Sequence, residues 1–314
     1  MTEHLDVVYG ARGDREVHLD IYQPTGSTNH RTALLLFHGG GFRQGDRKQM
    51  QPQCRVLAEH GFTAIAVEYR LLDDATVAWP DPLHDVKGAI AWVAARADEL
   101  GIDADRIVLQ GHSAGAMLAL MAAGTVGASE FQPPFVLDAP EAPVAAVLAY
   151  YPAVQLVLRA MPELPTDGPP TPEQIAAIAK AMRSDDGTMP ASIIFGPTAT
   201  EQQAANASPI NYVSDSFPPT LIFHGTADTV VASPASSTLY KALTAAGVAA
   251  ELHLLNGAYH GFDSVPSLFS PAAALTESFL RRIVLDPSGF AEEEATHNPL
   301  AAMQKAMAAM QTAS

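Results

Sequence analysis

Seven short apolar runs punctuate the chain up to residue 255, and longer stretches with helical spacing lie between most of them. That alternation restricts the fold more than any other feature. The runs are VHLDIY (17–22), ALLLF (33–37), TAIAVEY (63–69), RIVLQ (106–110), VAAVLAY (144–150), TLIFH (220–224) and ELHLL (251–255). Each is rich in β-branched or aromatic residues and reads as a strand. The clearest helical stretch runs from about 82 to 100, with Val86, Ile90, Val93 and Ala97 along one face. Asp81 is placed to cap it, and Pro82 suits its first turn. Another helix begins at Ser233-Pro234 and stops before Gly247, where a left-handed cap fits. Strands alternating with helices predict an α/β fold, a mostly parallel central sheet with helices on both faces.

Chemistry concentrates where strands end. GHSAG (111–115) lies between the strand RIVLQ and the helical segment AGAMLALMAAG. A strand-to-helix turn of this kind strains its central serine and leaves the hydroxyl of Ser113 exposed at the sheet edge. Side chains two residues to either side would collide with the turn, so glycine at 111 and 115 is what the geometry needs. The helix that follows favours negative charge at its N-terminus. HGGGF (38–42) directly follows the strand ALLLF. Its glycines let backbone N–H groups approach a ligand, and acyl transfer needs such donors where a carbonyl oxygen becomes an anion. The N–H groups of Gly40, Gly41 and Ala114 are the candidate oxyanion donors, with His38 shaping the loop. Phosphate-binding alternatives fail: Asp46-Arg47 stands where a P-loop needs Lys-Ser/Thr, and no G-x-G-x-x-G is present.

Serine needs a base, and histidine suits neutral pH. Asp228 follows the strand TLIFH, in HGTAD, whereas Asp138, Asp167, Asp185, Asp186 and Asp215 lie in loop or insertion sequence. Only His253, His260 and His297 come later. His253 sits within a strand and His297 in the tail, while His260 lies in the loop NGAYHGF after the last strand. The order serine, acid, histidine selects Ser113, Asp228 and His260.

Residues 152–219 break the rhythm. They are rich in proline and hold one convincing helix, EQIAAIAKAMR (173–183). A segment this long beside a sheet reads as a small cap over its active end. The reading therefore divides the chain into a catalytic domain, 1–286, with an insertion at 152–219, and a tail, 287–314. In that tail AEEEATHNPL reads as a linker, and the residues beyond it as a helix with Met303, Met307 and Met310 on one face. The tail could dock on the body, pair with a second copy in a homodimer, or fray. A net charge of −16 repels phosphate backbones and argues against nucleic-acid partners. No apolar run reaches the roughly 18 residues that span a bilayer, which predicts no membrane partner. The start, MTEHLDVVYG, lacks the apolar region of a signal peptide, and Cys54 is the single cysteine. A cytoplasmic location is the expectation, without a disulfide.

HGGGF, YRL (69–71), GHSAG, HGTAD and YHGF stand in this order, and over roughly residues 5–285 the sequence resembles the α/β-hydrolase carboxylesterases. The HGGG loop is similar to that of the hormone-sensitive-lipase-like esterases. Those usually carry aspartate where this chain has His112, and a long N-terminal cap where only 37 residues, reading as strands, precede His38. SPINYVSDSFPPTLIFHGTADTVV (208–231) is more similar to the bacterial feruloyl and acetyl-xylan esterase-like (BD-FAE-like) enzymes. The resemblance implies an α/β-hydrolase fold and an acyl-enzyme on Ser113, resolved by water that His260 activates. It implies no cofactor and no metal. Small neutral esters are the expected substrates. The same machinery on a C–N bond, as an arylformamidase, amidase or peptidase, and a non-catalytic binding module are the alternatives. Phe42 and His112 are the candidates to line the substrate pocket, and Arg70 with Asp85 the candidates for a structural ion pair.

Overall fold

Among the described residues of the computed structural model, ten strands order the chain: β1 (Thr2–Arg12), β2 (Arg15–Gln23), β3 (Ala33–Phe37), β4 (Thr63–Val67), β5 (Ile107–His112), β6 (Ala146–Tyr150), β7 (Leu156–Val157), β8 (Met189–Pro190), β9 (Thr220–Gly225) and β10 (Ala250–Leu255). The structure describes residues 1–314 except 73–74, 161, 163–170, 183, 299, 301–302, 305–306, 308–309 and 311–314. Asp167, Arg183 and most of the methionine-bearing tail segment thus lie outside the described residues.

Eight strands form one sheet in the order β1-β2-β4-β3-β5-β6-β9-β10, and only β2 runs against the others. The chain moves from β3 to β4 on one side, then returns to β5 and builds outward on the other. β3 and β5 are therefore neighbours whose connections leave in opposite directions. Their C-terminal ends open the crevice in which doubly wound sheets carry their sites. Phe37, the last residue of β3, is paired with Gly111 of β5, so HGGGF and GHSAG leave the sheet side by side.

The central strands are apolar throughout because both faces are covered. Period-2 alternation sends Leu35, Phe37, Ile65, Val67 and Leu109 to one face, under the helices Asp81–Ala95 and Ala114–Gly124. Leu34, Leu36, Ala64, Ala66 and Val108 go to the other, under Gln51–Glu59 and Pro266–Leu280. β1 is the one sheet strand whose bounds the alternating pattern leaves undefined. It is an edge strand broken by register shifts, and Asp6 has φ +57° within it.

Two expectations change at element ends. Asp81 does not cap the helix that follows: it is the first helical residue, and its carboxylate accepts from the Ala78 N–H at 3.0 Å. Pro82 does sit in the first turn. The expected linker is helical over Pro287–His297, because Asp286 accepts the Gly289 N–H and starts a turn there. Gly247, at φ +80°, follows the helix Pro234–Ala245 as its spacing requires. Among the described residues no helix is long and apolar enough to cross a membrane.

One buried ion cluster clamps β1 to the crevice. Asp85, fully buried, accepts from Arg12 Nε at 2.7 Å and from Arg70 Nε at 2.8 Å. It also takes the Arg70 backbone N–H at 2.9 Å. Removing the carboxylate leaves two largely buried guanidinium groups facing each other. Asp85→Ala should therefore destabilise the fold by about 3–5 kcal/mol, measured as the shift in the urea unfolding midpoint at unchanged slope.

Candidate active site

Ser113 stands between β5 and the helix Ala114–Gly124 with φ +54° and ψ −115°, a conformation that L-residues adopt only when their surroundings impose it. The surroundings here are backbone. A Cβ on Gly111 would lie 2.2 Å from the Gly115 carbonyl oxygen, and one on Gly115 would lie 2.2 Å from that of Phe37. The Ser113 N–H donates to the Tyr150 carbonyl at 2.9 Å, tying the turn to β6.

His260 reaches the serine from the loop after β10. Its Nε2 lies 2.9 Å from Ser113 Oγ, and its Nδ1 lies 2.7 Å from Asp228 Oδ2. Asp228 follows β9 and also accepts the N–H groups of Val230 at 2.8 Å and Val231 at 3.0 Å. His224 Nε2 lies 3.2 Å from its Oδ2. Burial alone would raise the pKa of Asp228, but the hydrogen bonds from His224, His260 and the backbone outweigh it and hold the carboxyl well below the usual range. An ionised Asp228 fixes the Nδ1–H tautomer of His260, which leaves Nε2 free to accept the serine proton.

The glycine loop lies across from the serine. Gly40, at φ +121°, would put a Cβ 1.9 Å from the Gln44 carbonyl oxygen, so no other residue fits. The Gly40 carbonyl accepts from the Arg43 and Gln44 N–H groups, which closes the turn. The Ala114 N–H opens its helix and has no intrahelical partner. His38 packs on Tyr69 with ring centroids 4.3 Å apart, its Nδ1 is 2.7 Å from the Gly39 carbonyl, and burial lowers its pKa. It supports the loop without reaching the serine.

Two cavities meet at Ser113 and His260. One, of about 340 Å³, is lined by Phe42, Met117, Leu156, Met189, Ile193 and Ile194. The other, of about 630 Å³, is bounded by Met50, Pro52, Val56, Pro266 and Phe269 together with Gln53 and Asp263. Phe42 thus lines the smaller cavity beside Ser113. His112 borders the larger cavity but is buried, with its ring nitrogens engaged by Gln110 and Asp263. Among the described residues no group of three or more His, Cys, Asp or Glu side chains is arranged to hold a metal ion.

Several polar residues at the site escaped the sequence reading: His224, Gln53, Gln110, Tyr151 and Asp263. His224 stands in the HGTAD motif, and its spacing of four from Asp228 was the one available signal. The others come together only through the sheet.

A serine on a strand-to-helix turn at the switch point of a mostly parallel sheet, with histidine and aspartate on the loops after the last two strands, defines the α/β-hydrolase fold. The BD-FAE family model matches residues 19–243, and the chain belongs to that family. Over 133 residues it is 41% identical to the probable carboxylic ester hydrolase LipM of Mycobacterium tuberculosis, a match covering 41% of this chain and 30% of that protein. Over 149 residues it is 35% identical to esterase LipQ of the same organism, covering 46% and 34%. The matches therefore span about a third of these curated relatives. Among solved structures it is similar to esterase 2 of Thermogutta terrifontis phosphoramylated by tabun, with a TM-score of 0.71 and 26% identity, covering 90% of this chain and 95% of that one. The butyrate-bound form of that esterase gives a TM-score of 0.69 at 28% identity, covering 89% and 94%.

Asp263, like Asp228, is held below the usual carboxylate range: burial would raise it, and its interactions with His112 and Tyr151 outweigh that. A depressed folded-state pKa gives stability that is complete above the unfolded value, about 4, and is lost as pH falls through the folded one. The thermal midpoint should fall steeply below about pH 4. In Asp263→Asn the acid-side slope of unfolding free energy against pH should be shallower, by up to about 1.4 kcal/mol per pH unit. Urea titrations between pH 2 and 6 measure it.

Proposed function

We propose that this chain is a serine carboxylesterase acting on small neutral esters with short acyl groups. The observation that carries the reading is the line from Ser113 Oγ to His260 Nε2 at 2.9 Å and from His260 Nδ1 to Asp228 at 2.7 Å, set beside the N–H groups of Gly40, Gly41 and Ala114.

In this reading Ser113 attacks the ester carbonyl while His260 takes its proton. The carbonyl oxygen becomes an anion, and the backbone N–H groups of Gly40, Gly41 and Ala114 are its proposed donors. His260 returns the proton to the leaving alcohol, and the acyl group stays on Ser113. Water, deprotonated by the same imidazole, then releases the acid. Asp228 keeps the imidazole oriented and stabilises its cation, without taking the proton.

The cavities support the size preference. The smaller one, walled by Phe42, Met117, Leu156 and Ile194, suits a short apolar acyl chain. The larger is bounded by Gly261, Asp263 and Ser264, which follow the imidazole, so it suits the alcohol that the imidazole must protonate. The solved relative bound to butyrate is consistent with a short acid product. In the same reading, residues 152–219 are the cap, since Leu156, Met189 and Ile194 wall the acyl side.

Initial rates on p-nitrophenyl esters from acetate to palmitate test the substrate. The expected maximum lies at the shortest chains, and a maximum at long chains would reject the size preference. Formanilides hydrolysed faster than every ester would move the reading to C–N bonds. Ser113→Ala should lower kcat by about 10⁴-fold or more and abolish fluorophosphonate labelling, with an unchanged circular dichroism spectrum. Retained turnover in that variant refutes the nucleophile.

A further inference from the structure

Behind the reacting groups, four nearly inaccessible polar side chains gather around a fifth, the Asp263 carboxylate. Gln53 Nε2 lies 2.6 Å from Asp263 Oδ2, and His112 Nδ1 lies 3.0 Å from the same oxygen. The Tyr151 hydroxyl donates to Asp263 Oδ1. Gln110 Nε2 lies 2.8 Å from Gln53 Oε1 and 3.1 Å from His112 Nε2. Gln53, Gln110, His112, Tyr151 and Asp263 are all buried.

Donor directions follow from the carboxylate outward. An ionised carboxylate can only accept. Gln53 must therefore turn its amide nitrogen to Asp263 and its oxygen to Gln110. Gln110 must answer with its own nitrogen, which also meets His112 Nε2. His112 then accepts at Nε2 and donates from Nδ1 to Asp263. Gln110 thus feeds two routes, through Gln53 and through His112, that converge on Asp263. Flipping either amide would set two like groups against each other.

The network touches both partners of the reacting pair. His112 is the residue before Ser113, and Asp263 is three residues after His260. The Tyr151 ring packs against the His260 ring with centroids 4.4 Å apart. Tyr151 itself is held at φ +40°, and its N–H donates to the Phe223 carbonyl at 2.7 Å. Two strained residues, Ser113 and Tyr151, thus stand on adjacent strand ends. Such conformations persist only where the surroundings over-determine them.

We propose that the Asp263 carboxylate anchors a positioning network that holds the Ser113 hydroxyl and the His260 imidazole in register, with Tyr151 and Asp263 as its positioning residues. The inference rests on the reading of Ser113 and His260 as the reacting pair. Without the carboxylate, Gln53, His112 and Tyr151 lose their common acceptor. The turn 262–264 is then free to shift, and the imidazole shifts with it. A misplacement of about 1 Å can cost about 10²-fold in rate.

The test compares the full-length wild type with Asp263→Ala, Asp263→Asn and Tyr151→Phe. It measures kcat and KM on p-nitrophenyl butyrate, the second-order rate of fluorophosphonate labelling at Ser113, and the thermal midpoint. For Asp263→Ala, kcat and labelling rate should fall together by about 10²-fold, with KM nearly unchanged. Tyr151→Phe keeps the ring and loses only the hydroxyl, and should fall in both by a smaller factor. Asp263→Asn can still accept from Gln53 and His112 while its amide faces the tyrosine oxygen, so it should recover much of the loss.

A rise in KM with kcat and labelling intact would overturn the proposal, making these residues a substrate-binding wall. So would folded variants that label at the wild-type rate. Where Asp263→Ala does not fold, Tyr151→Phe decides by the same labelling ratio. A wild type that labels at Ser113 but hydrolyses no ester would defeat the esterase reading alone, because the labelling ratio still reports on positioning.

Discussion

Everything at the crevice depends on how closely the backbone after β3 passes the start of the helix Ala114–Gly124. A methyl group at Gly115 would sit 2.2 Å from the Phe37 carbonyl oxygen, and one at Gly111 would strike the Gly115 carbonyl. The approach is possible only because both positions lack side chains. It sets the separation between the glycine loop and Ser113, and it forces the serine into its strained turn. The register of β3 on β5, with Phe37 opposite Gly111, converts that contact into a fixed geometry. The covered sheet holds the register, because a slip by one residue would send each strand's side chains to the opposite face.

Much of the sheet was legible in the sequence because its central strands are buried on both faces and read as unbroken apolar runs. β1 was less so, since an edge strand with shifted register and Asp6 at positive φ does not keep the alternation. The ends of helices were the weak point: Asp81 caps nothing, and Asp286 starts a helix where AEEEATHNPL suggests a linker. Ser113, Asp228 and His260 were legible because each sits in a local motif and the fold imposes their order. Asp263, Tyr151, Gln53 and Gln110 were not. They lie on four segments separated by up to 210 positions, and no local spacing encodes the closure of that ring. His112 borders the larger cavity, yet it is buried with both ring nitrogens engaged, and its neighbours in sequence do not encode those partners.

Electrostatics divides the crevice into two layers. In the outer layer, Asp228 faces His260 and two backbone N–H groups. In the inner layer, Asp263 faces His112, Gln53 and Tyr151. Each carboxylate is buried, and each is compensated by three or more donors, as a buried charge must be. The Arg12–Asp85–Arg70 cluster repeats the pattern beside the glycine loop. Arg43 extends it outward, donating to the Leu72 carbonyl at 3.1 Å and to the Ile193 carbonyl at 3.2 Å. Phe42, Trp79 and Phe195 line up edge to face alongside. The glycine loop is thus fixed to the sheet on one side and to the 192–195 turn on the other.

The division of labour around the smaller cavity has an evolutionary consequence. Leu156, Met189, Ile193 and Ile194 come from the stretch between β6 and β9, and none of them bonds to Ser113, His260 or Asp228. The side chains that wall this cavity are therefore carried beyond Tyr151, on residues that make no bond to Ser113, His260 or Asp228. Under the proposed reading, a lineage built on this sheet can retune which molecules it admits by rewriting residues 156–194, while the groups proposed to react are inherited intact.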